Sequence, residues 1–222
     1  DEIEARGKTA ILAGGTGFYL RAMVKPLFTS PRTNPDLRDR LIRIREKHGP
    51  IFLHRLLKRL DPATAEVLKP RDWSRTMRAI EVRLQTGRRL SEIQGESEAP
   101  PEPASRLRVI CLNPNRDLLY ARINERADRM FERGLVEEVQ SLIESGVPSR
   151  AKAFQAHGYR RVVEHLQGLR SRDEALNQMK LDTRHYAKRQ LSWWRAWDGV
   201  YWINRFGEEP EALVEALGYL AS

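Results

Sequence analysis

The stretch Ala13–Val24, AGGTGFYLRAMV, decides how the fold is read. It follows an apolar run, Thr9–Ala13, that predicts a short strand. It leads into a short apolar helix that carries Arg21 and ends before Pro26. Gly14, Gly15, Thr16 and Gly17 lie between the two. Glycines gather where the backbone needs angles closed to other residues or must approach something closely, and at a strand-to-helix junction that is often a phosphate. Thr16 adds a hydroxyl donor. The glycines alone fit either a phosphate cradle or a tight turn with no ligand. They are not a dinucleotide fingerprint, because G-x-G-x-x-G needs glycine where Leu20 stands. Gly7-Lys8-Thr9 is not the end of a P-loop either, since the first glycine would fall at Glu2 and the segment precedes a strand.

Working outward, Asn34-Pro35 reads as an N-cap and first helical residue, followed by a helix to about Lys47 that Gly49 closes. IFLHRLLKRL has helical apolar spacing, Asp61-Pro62 starts a short helix, Asp72 opens one that stops at Gly87, and Ser91-Glu92 begins a last turn. FTSPRTNP before this region and the Pro/Glu-rich GESEAPPEPAS after it read as linkers. RLRVICLN then predicts a buried strand. RDLLYARINERADRMFERG is an amphipathic helix with Leu118, Leu119, Ile123, Met130 and Phe131 on one side. Ser171 and Glu174 form a capping box for a long helix, Asp198-Gly199 turns the chain into the strand VYWI, and Pro210 starts the final helix. The pattern predicts an α/β core, residues 1–29 and 106–222, interrupted by an all-helical insertion at 30–105.

The 222 residues allow at most two domains, and the net charge of +9 points to a polyanionic partner. A single cysteine, Cys111, excludes an internal disulfide and a Cys-rich zinc site and suits a reducing, cytoplasmic setting. No run is long and apolar enough to span a membrane, and no membrane partner is expected. The cations are not evenly spread. Between Asp182 and Asp198 no acid offsets Arg184, Lys188, Arg189 and Arg195, which share their helix with Trp193, Trp194 and Trp197. Arg122, Arg126 and Arg129 follow helical spacing among acids, so one can face a site while the others stay in solvent-exposed ion pairs. SRTMRAIEVRLQTGRRLSE concentrates five arginines. FQAHGYRR sets an amide, an imidazole, a phenol and two arginines around a glycine, groups able to read or stack a base and hold phosphates.

Four segments, in order, resemble one family, the tRNA dimethylallyltransferases (tRNA isopentenyltransferases) of bacterial type. These are ILAGGTGFYLRAM, TMRAIEVRLQTGRRLSE, FQAHGYRRVVEHLQG and TRHYAKRQLSWWR, and the likeness covers essentially the whole chain. The resemblance implies a P-loop NTPase-like α/β core with a helical insertion that grips the tRNA anticodon arm. It implies transfer of a dimethylallyl group from dimethylallyl diphosphate to N6 of the adenosine 3′-adjacent to the anticodon, tRNA position 37, with Mg²⁺. It places Gly14, Gly15, Thr16, Gly17 and Arg38 near the tRNA. Ser74, Arg75, Thr76, Met77 and Arg78 form a further tRNA-contacting stretch, as do Gln155, Ala156, His157, Gly158, Tyr159 and Arg160. Arg126 falls where the family contacts the donor diphosphate, as a catalytic residue, with Arg184, Lys188 and Arg189 lining the same region. The family's P-loop and catalytic aspartate precede the residue at which this chain begins. The expectation is therefore a fragment that is inactive alone, with the Mg²⁺ ligands in that preceding part and around Thr16, and a monomer in solution. A non-catalytic RNA-binding module on the same scaffold is the alternative, and a nucleotide-kinase relative a weaker one.

Overall fold

The computed structural model describes residues 2–24, 31–96, 106–148 and 151–222. It divides into two compact units, Phe18–Arg106 and a second made of Asp1–Gly17 with Leu107–Ser222. The first division falls inside the short helix α1 (Gly17–Val24), ahead of the boundary expected at 29/30. Part of the linker FTSPRTNP and nearly all of GESEAPPEPAS lie outside the described residues.

Beyond α1, the unit Phe18–Arg106 contains α2 (Pro35–His48), α3 (Pro50–Leu60), α4 (Pro62–Val67), α5 (Trp73–Thr86) and α6 (Leu90–Gly95). The predicted caps are in place. Asn34 accepts from the Leu37 amide, Asp72 from the Arg75 amide, and Gly49 and Gly87 close α2 and α5 with positive φ. The core gathers Leu41 of α2, Leu53 and Leu57 of α3, and Met77, Ile80 and Val82 of α5. Each such side chain contributes roughly 1.5–3 kcal/mol by leaving water. Asp61 is fully buried and does more than cap α4. It accepts from the Thr64 amide (3.1 Å) and hydroxyl (2.6 Å) and from the Ser91 amide (3.1 Å) and hydroxyl (2.8 Å). One carboxylate thus ties the start of α4 to the start of α6. Burial alone would raise its pKa, but these four hydrogen bonds bring the carboxyl below its ordinary value.

The second unit holds a two-stranded parallel sheet, β1 (Val109–Leu112) beside β2 (Val200–Ile203), with Val109 opposite Val200. Parallel neighbours need a long crossover. Here α7 (Arg116–Glu132), α8 (Leu135–Glu144), a 3-10 turn (Lys152–Gln155), α9 (His157–Leu166) and α10 (Arg172–Arg195) provide it, and α11 (Pro210–Ala221) follows β2. The helices share a core of Phe131, Leu135, Val139, Phe154, Val162 and Met179. Ser171 and Glu174 make the predicted reciprocal box at the start of α10. Arg161 binds Asp182 at 2.6 Å and Glu164 at 2.7 Å, and Arg170 adds a 2.7 Å bond to Glu164, which locks α9 onto α10. Burial opposes ionisation of Asp182, yet the hydrogen bonds from Arg161 and Gln178 hold its carboxyl below the usual range.

Three sequence expectations fail. Thr9–Ala13 is not a strand: it pairs with no strand among the described residues, and Ile11 and Leu12 are 84% and 64% exposed. Apolar β pattern becomes strand only where a ladder partner takes up the backbone groups. β1 is half-buried rather than buried, with Leu112 exposed. Leu118 of α7 also faces solvent, the buried face being carried by Ala127 and Phe131.

Candidate functional site

Each unit presents its own set of the residues expected to act. In the glycine loop, none of Gly14, Gly15 and Gly17 has a positive φ. The expectation that they supply backbone angles closed to other residues is therefore wrong, and their smallness has a different cause. A Cβ on Gly17 would lie 2.1–2.4 Å from the ring carbons of Trp193, and one on Gly15 would lie 2.4 Å from the Gln190 side-chain nitrogen. That nitrogen donates to the Gly15 carbonyl at 2.7 Å. The loop is thus laid against α10, on Gln190 between Arg189 and Arg195 and on an aromatic group of Trp193, Trp194 and Trp197, with Trp193 centred 4.8 and 5.1 Å from the other two. Gly14 differs, because an added Cβ there meets nothing within 4 Å. Thr16, the loop's only hydroxyl, is exposed.

The next turn of α10 reaches α9. Arg189 lies over Tyr186 at 5.8 Å, and Tyr186 meets the His157 ring edge-on at 5.3 Å. One face of the last three turns of α10 thus carries Tyr186 beside His157 and Gln190 and Trp193 against the glycine loop, with Arg189 over Tyr186, while the exposed Lys188 lies on the other side of the helix. Arg184 sits one turn earlier, over Tyr120 of α7 at 5.9 Å. Arg184, Lys188 and Arg189 have no carboxylate partner among the described residues. On α7, Arg122 pairs with Glu208 and Arg129 with Glu125, whereas Arg126 is exposed and has no such partner among the described residues.

The stretch 155–160 divides. Gln155 and Ala156 are exposed beside the buried anchor Phe154. A Cβ added to Gly158 would lie 3.2 Å from the Met179 side chain, so the glycine lets α9 approach α10. Tyr159 donates to Glu138, which pushes its phenol pKa up, and Arg160 pairs with Glu164 at 3.3 Å. Tyr159 and Gly158 thus have structural duties in this region.

In the helical unit, Arg38 of α2 forks onto Glu81 of α5, Nε to Oε1 at 2.6 Å and NH2 to Oε2 at 2.9 Å. Arg78 reaches the same carboxylate at 3.3 Å and the Pro31 carbonyl at 2.6 Å. Glu81 is fully buried while the side chains of Arg38 and Arg78 stay 38% and 26% exposed. One hidden carboxylate thereby orients two arginines whose outer edges face solvent. Sequence reasoning passed over Glu81. Its signal was its place three residues after Arg78 on one helical face. Within 74–78, Ser74 and Arg75 are exposed, but Thr76 and Met77 are buried in the helical core. These two cannot meet a macromolecule in this conformation, because five consecutive helical residues cannot all face outward. Phe18–Arg106 has 19 Lys and Arg against 11 Asp and Glu, so a net +8 of the chain's +9 resides there.

Among the described residues, no three His, Cys, Asp or Glu side chains cluster to hold a metal ion. No helix among the described residues is long and apolar enough to cross a membrane.

The family model of the IPP transferases matches residues 1–197. The tRNA dimethylallyltransferase of Thermomicrobium roseum is 46% identical over 205 residues, covering 92% of this chain and 61% of the relative. That of Acetivibrio thermocellus is 40% identical over 225 residues, covering 100% of this chain and 72% of the relative. The chain thus spans roughly two thirds of the length of these relatives. Among solved structures, the tRNA isopentenylpyrophosphate transferase of Bacillus halodurans matches with a TM-score of 0.62 at 32% identity, over 99% of this chain and 68% of that one. A eukaryotic dimethylallyltransferase acting on tRNA matches with a TM-score of 0.71 at 24% identity, over 99% and 59%, and shares the fold. These neighbours set the class: a helix-rich α/β protein with a small parallel sheet and a P-loop-like core. Within that class, the chain belongs to the IPP transferase family.

Proposed function

We propose that this chain is the tRNA-gripping and diphosphate-contacting part of a tRNA dimethylallyltransferase. The transfer moves a dimethylallyl group from its diphosphate to N6 of the adenosine 3′-adjacent to the anticodon. The reading rests above all on 46% identity, across 92% of the chain, to a relative of that name. The geometry adds cations left without carboxylate partners among the described residues, Arg126 on α7 and Arg184, Lys188 and Arg189 on α10.

The chemistry needs such groups. The allylic C–O bond breaks as the N6–C bond forms, and the departing diphosphate gathers negative charge. Unpaired guanidinium and ammonium groups lower the barrier by meeting that charge where it grows. The target base must leave its stack to be reached. Gly14, whose α-carbon faces open space, and the exposed Thr16 hydroxyl are the loop groups free to approach it or the diphosphate. The aspartates away from open solvent are engaged elsewhere: Asp61 with Thr64 and Ser91, Asp72 at the cap of α5, Asp128 with Lys180, and Asp182 with Arg161. On this reading none of these four takes the N6 proton.

The chain is expected to bind an anticodon stem-loop with affinity that falls steeply with salt. Salt-independent binding, or equal binding to duplex DNA, would contradict the proposal. In a form of the protein competent for transfer, Arg126→Ala should lower kcat by about 10²–10³, the usual loss of one charge-stabilising donor, with tRNA affinity nearly unchanged. Equal losses in both would remove Arg126 from the diphosphate.

A further inference from the structure

The α2–α5 seam of the helical unit runs beyond the Arg38–Glu81–Arg78 cluster. Arg38 at the start of α2 meets the later part of α5, and Arg45 near the end of α2 meets Trp73, the first residue of α5. The two helices are therefore antiparallel along this seam, and its two ends are about 11 Å apart at 1.5 Å per residue. At the far end the Arg45 guanidinium lies over the Trp73 ring, 4.3 Å from its centre. Trp73 nevertheless stays 41% exposed. A tryptophan that starts a helix and keeps this much surface in water does little for the core, whose α5 members are Met77, Ala79, Ile80 and Val82. Ser74 and the 77%-exposed Arg75 follow it directly, and Arg78 lies one turn on. The seam thus orders an aromatic plate and the Arg38–Glu81–Arg78 cluster along one edge of the unit that holds nearly all the net positive charge, with Ser74 and Arg75, the latter ion-paired with Asp72 at 3.5 Å, on the first turn of α5 beside it.

We infer that Trp73, backed by Arg45, is a stacking platform for one unpaired nucleobase of the bound RNA, while Arg75, Arg78 and Arg38 hold the adjoining phosphates. Every base offers a π-face, and an indole with a guanidinium on one side presents its remaining surface to such a face. Duplex regions cannot use the plate, because their bases are already stacked. The occupant is therefore an unpaired loop nucleotide. The inference rests on the tRNA reading above and adds a contact outside the segments that carry the family resemblance.

The test uses the 222-residue chain, an anticodon stem-loop hairpin, the same hairpin with abasic loop nucleotides, and a blunt RNA duplex of the stem sequence. Trp73→Ala should weaken hairpin binding about 5- to 150-fold, the equivalent of about 1–3 kcal/mol for one stacked base. Trp73→Phe should retain most of the affinity. Binding to the abasic hairpin and to the duplex should be insensitive to Trp73→Ala. Stacking releases no counterions, so the slope of log K against log salt should be the same for Trp73→Ala and the unsubstituted chain, whereas Arg75→Ala should reduce it by about 1. Hairpin affinity within twofold of the unsubstituted chain overturns the platform and leaves the tRNA reading standing. A loss accompanied by a lower salt slope, or matched on the duplex, also overturns it, since that marks lost charge or lost fold. If the unsubstituted chain itself does not prefer the hairpin to duplex DNA, both readings fall.

Discussion

Replacing Gly17 by alanine tests whether the glycine loop owes its composition to α10. Gly17 has no positive φ, so alanine can adopt its backbone angles, and helix propensity alone would favour the change by up to about 1 kcal/mol. Against that gain, the new Cβ would stand 2.1 Å from a Trp193 ring carbon where ordinary contact begins at 3.4 Å. The ring must retreat by more than an ångström, and it is not free to do so. Its edge-to-face contact with Trp194 and tilted contact with Trp197 are each worth about 0.5–1.5 kcal/mol. Overpacking of this kind costs about 1–3 kcal/mol. We expect a net destabilisation of about 1–2 kcal/mol, seen as a fall of ~2–8 °C in the thermal midpoint followed by near-UV circular dichroism of the tryptophans. Gly15→Ala should cost less, about 0.5–1.5 kcal/mol, because it displaces only the end of the flexible Gln190 side chain and its 2.7 Å hydrogen bond. Gly14→Ala should leave the midpoint in place. In a cycle with Trp193→Ala, the penalties of Gly17→Ala and its partner should sum to more than the penalty of the double variant. A neutral or stabilised Gly17→Ala protein would refute the contact with Trp193 as the reason for this glycine.

Other perturbations bear on the helical unit. Asp61→Asn should destabilise it near neutral pH by about 1–3 kcal/mol, since charge-assisted hydrogen bonds from Thr64 and Ser91 are weakened. The carboxyl pKa is depressed in the folded state, so this stabilisation is complete above the unfolded value of about 3.9 and is lost as pH falls through the lower folded value. The deficit of the variant should therefore shrink in urea melts taken below about pH 4; a gap that stays constant there would contradict the assignment. Glu81→Gln removes an anion and raises the unit's positive charge. If Glu81 matters only through charge, tRNA affinity should rise. If it holds Arg38 and Arg78 in place, affinity should fall, and we expect the fall in a filter-binding or anisotropy titration.

Much of the architecture can be read before any coordinates, because it is written in local signals. Asn34, Asp61, Asp72 and Ser171 cap helices where their spacing to the following amides requires it, and Gly49 and Gly87 close helices in the left-handed region. What local signals miss depends on partners distant in sequence. Thr9–Ala13 has the pattern of a strand, but a strand exists only beside another. Thr76 and Met77 lie within an arginine-rich stretch, yet the helical period turns them inward. The glycine loop has the composition of an anion cradle, while Trp193 and Gln190, some 175 residues away, account for two of its three glycines. Glu81 is undistinguished in the sequence, and only the approach of α2 to α5 shows that it serves two arginines at once. Helical spacing leaves Arg122, Arg126 and Arg129 equally open, and only the folded chain shows that Arg122 and Arg129 have acidic partners while Arg126 has none among the described residues.

The uneven sharing of charge, +8 on Phe18–Arg106 and close to neutrality elsewhere, has a kinetic consequence. Long-range attraction acts on whichever region carries the field, so a polyanion diffusing up to the protein would be drawn first to Phe18–Arg106. The nearly uncharged remainder adds little to that pull. Raising ionic strength should therefore slow the arrival of such a polyanion far more than it hastens its departure.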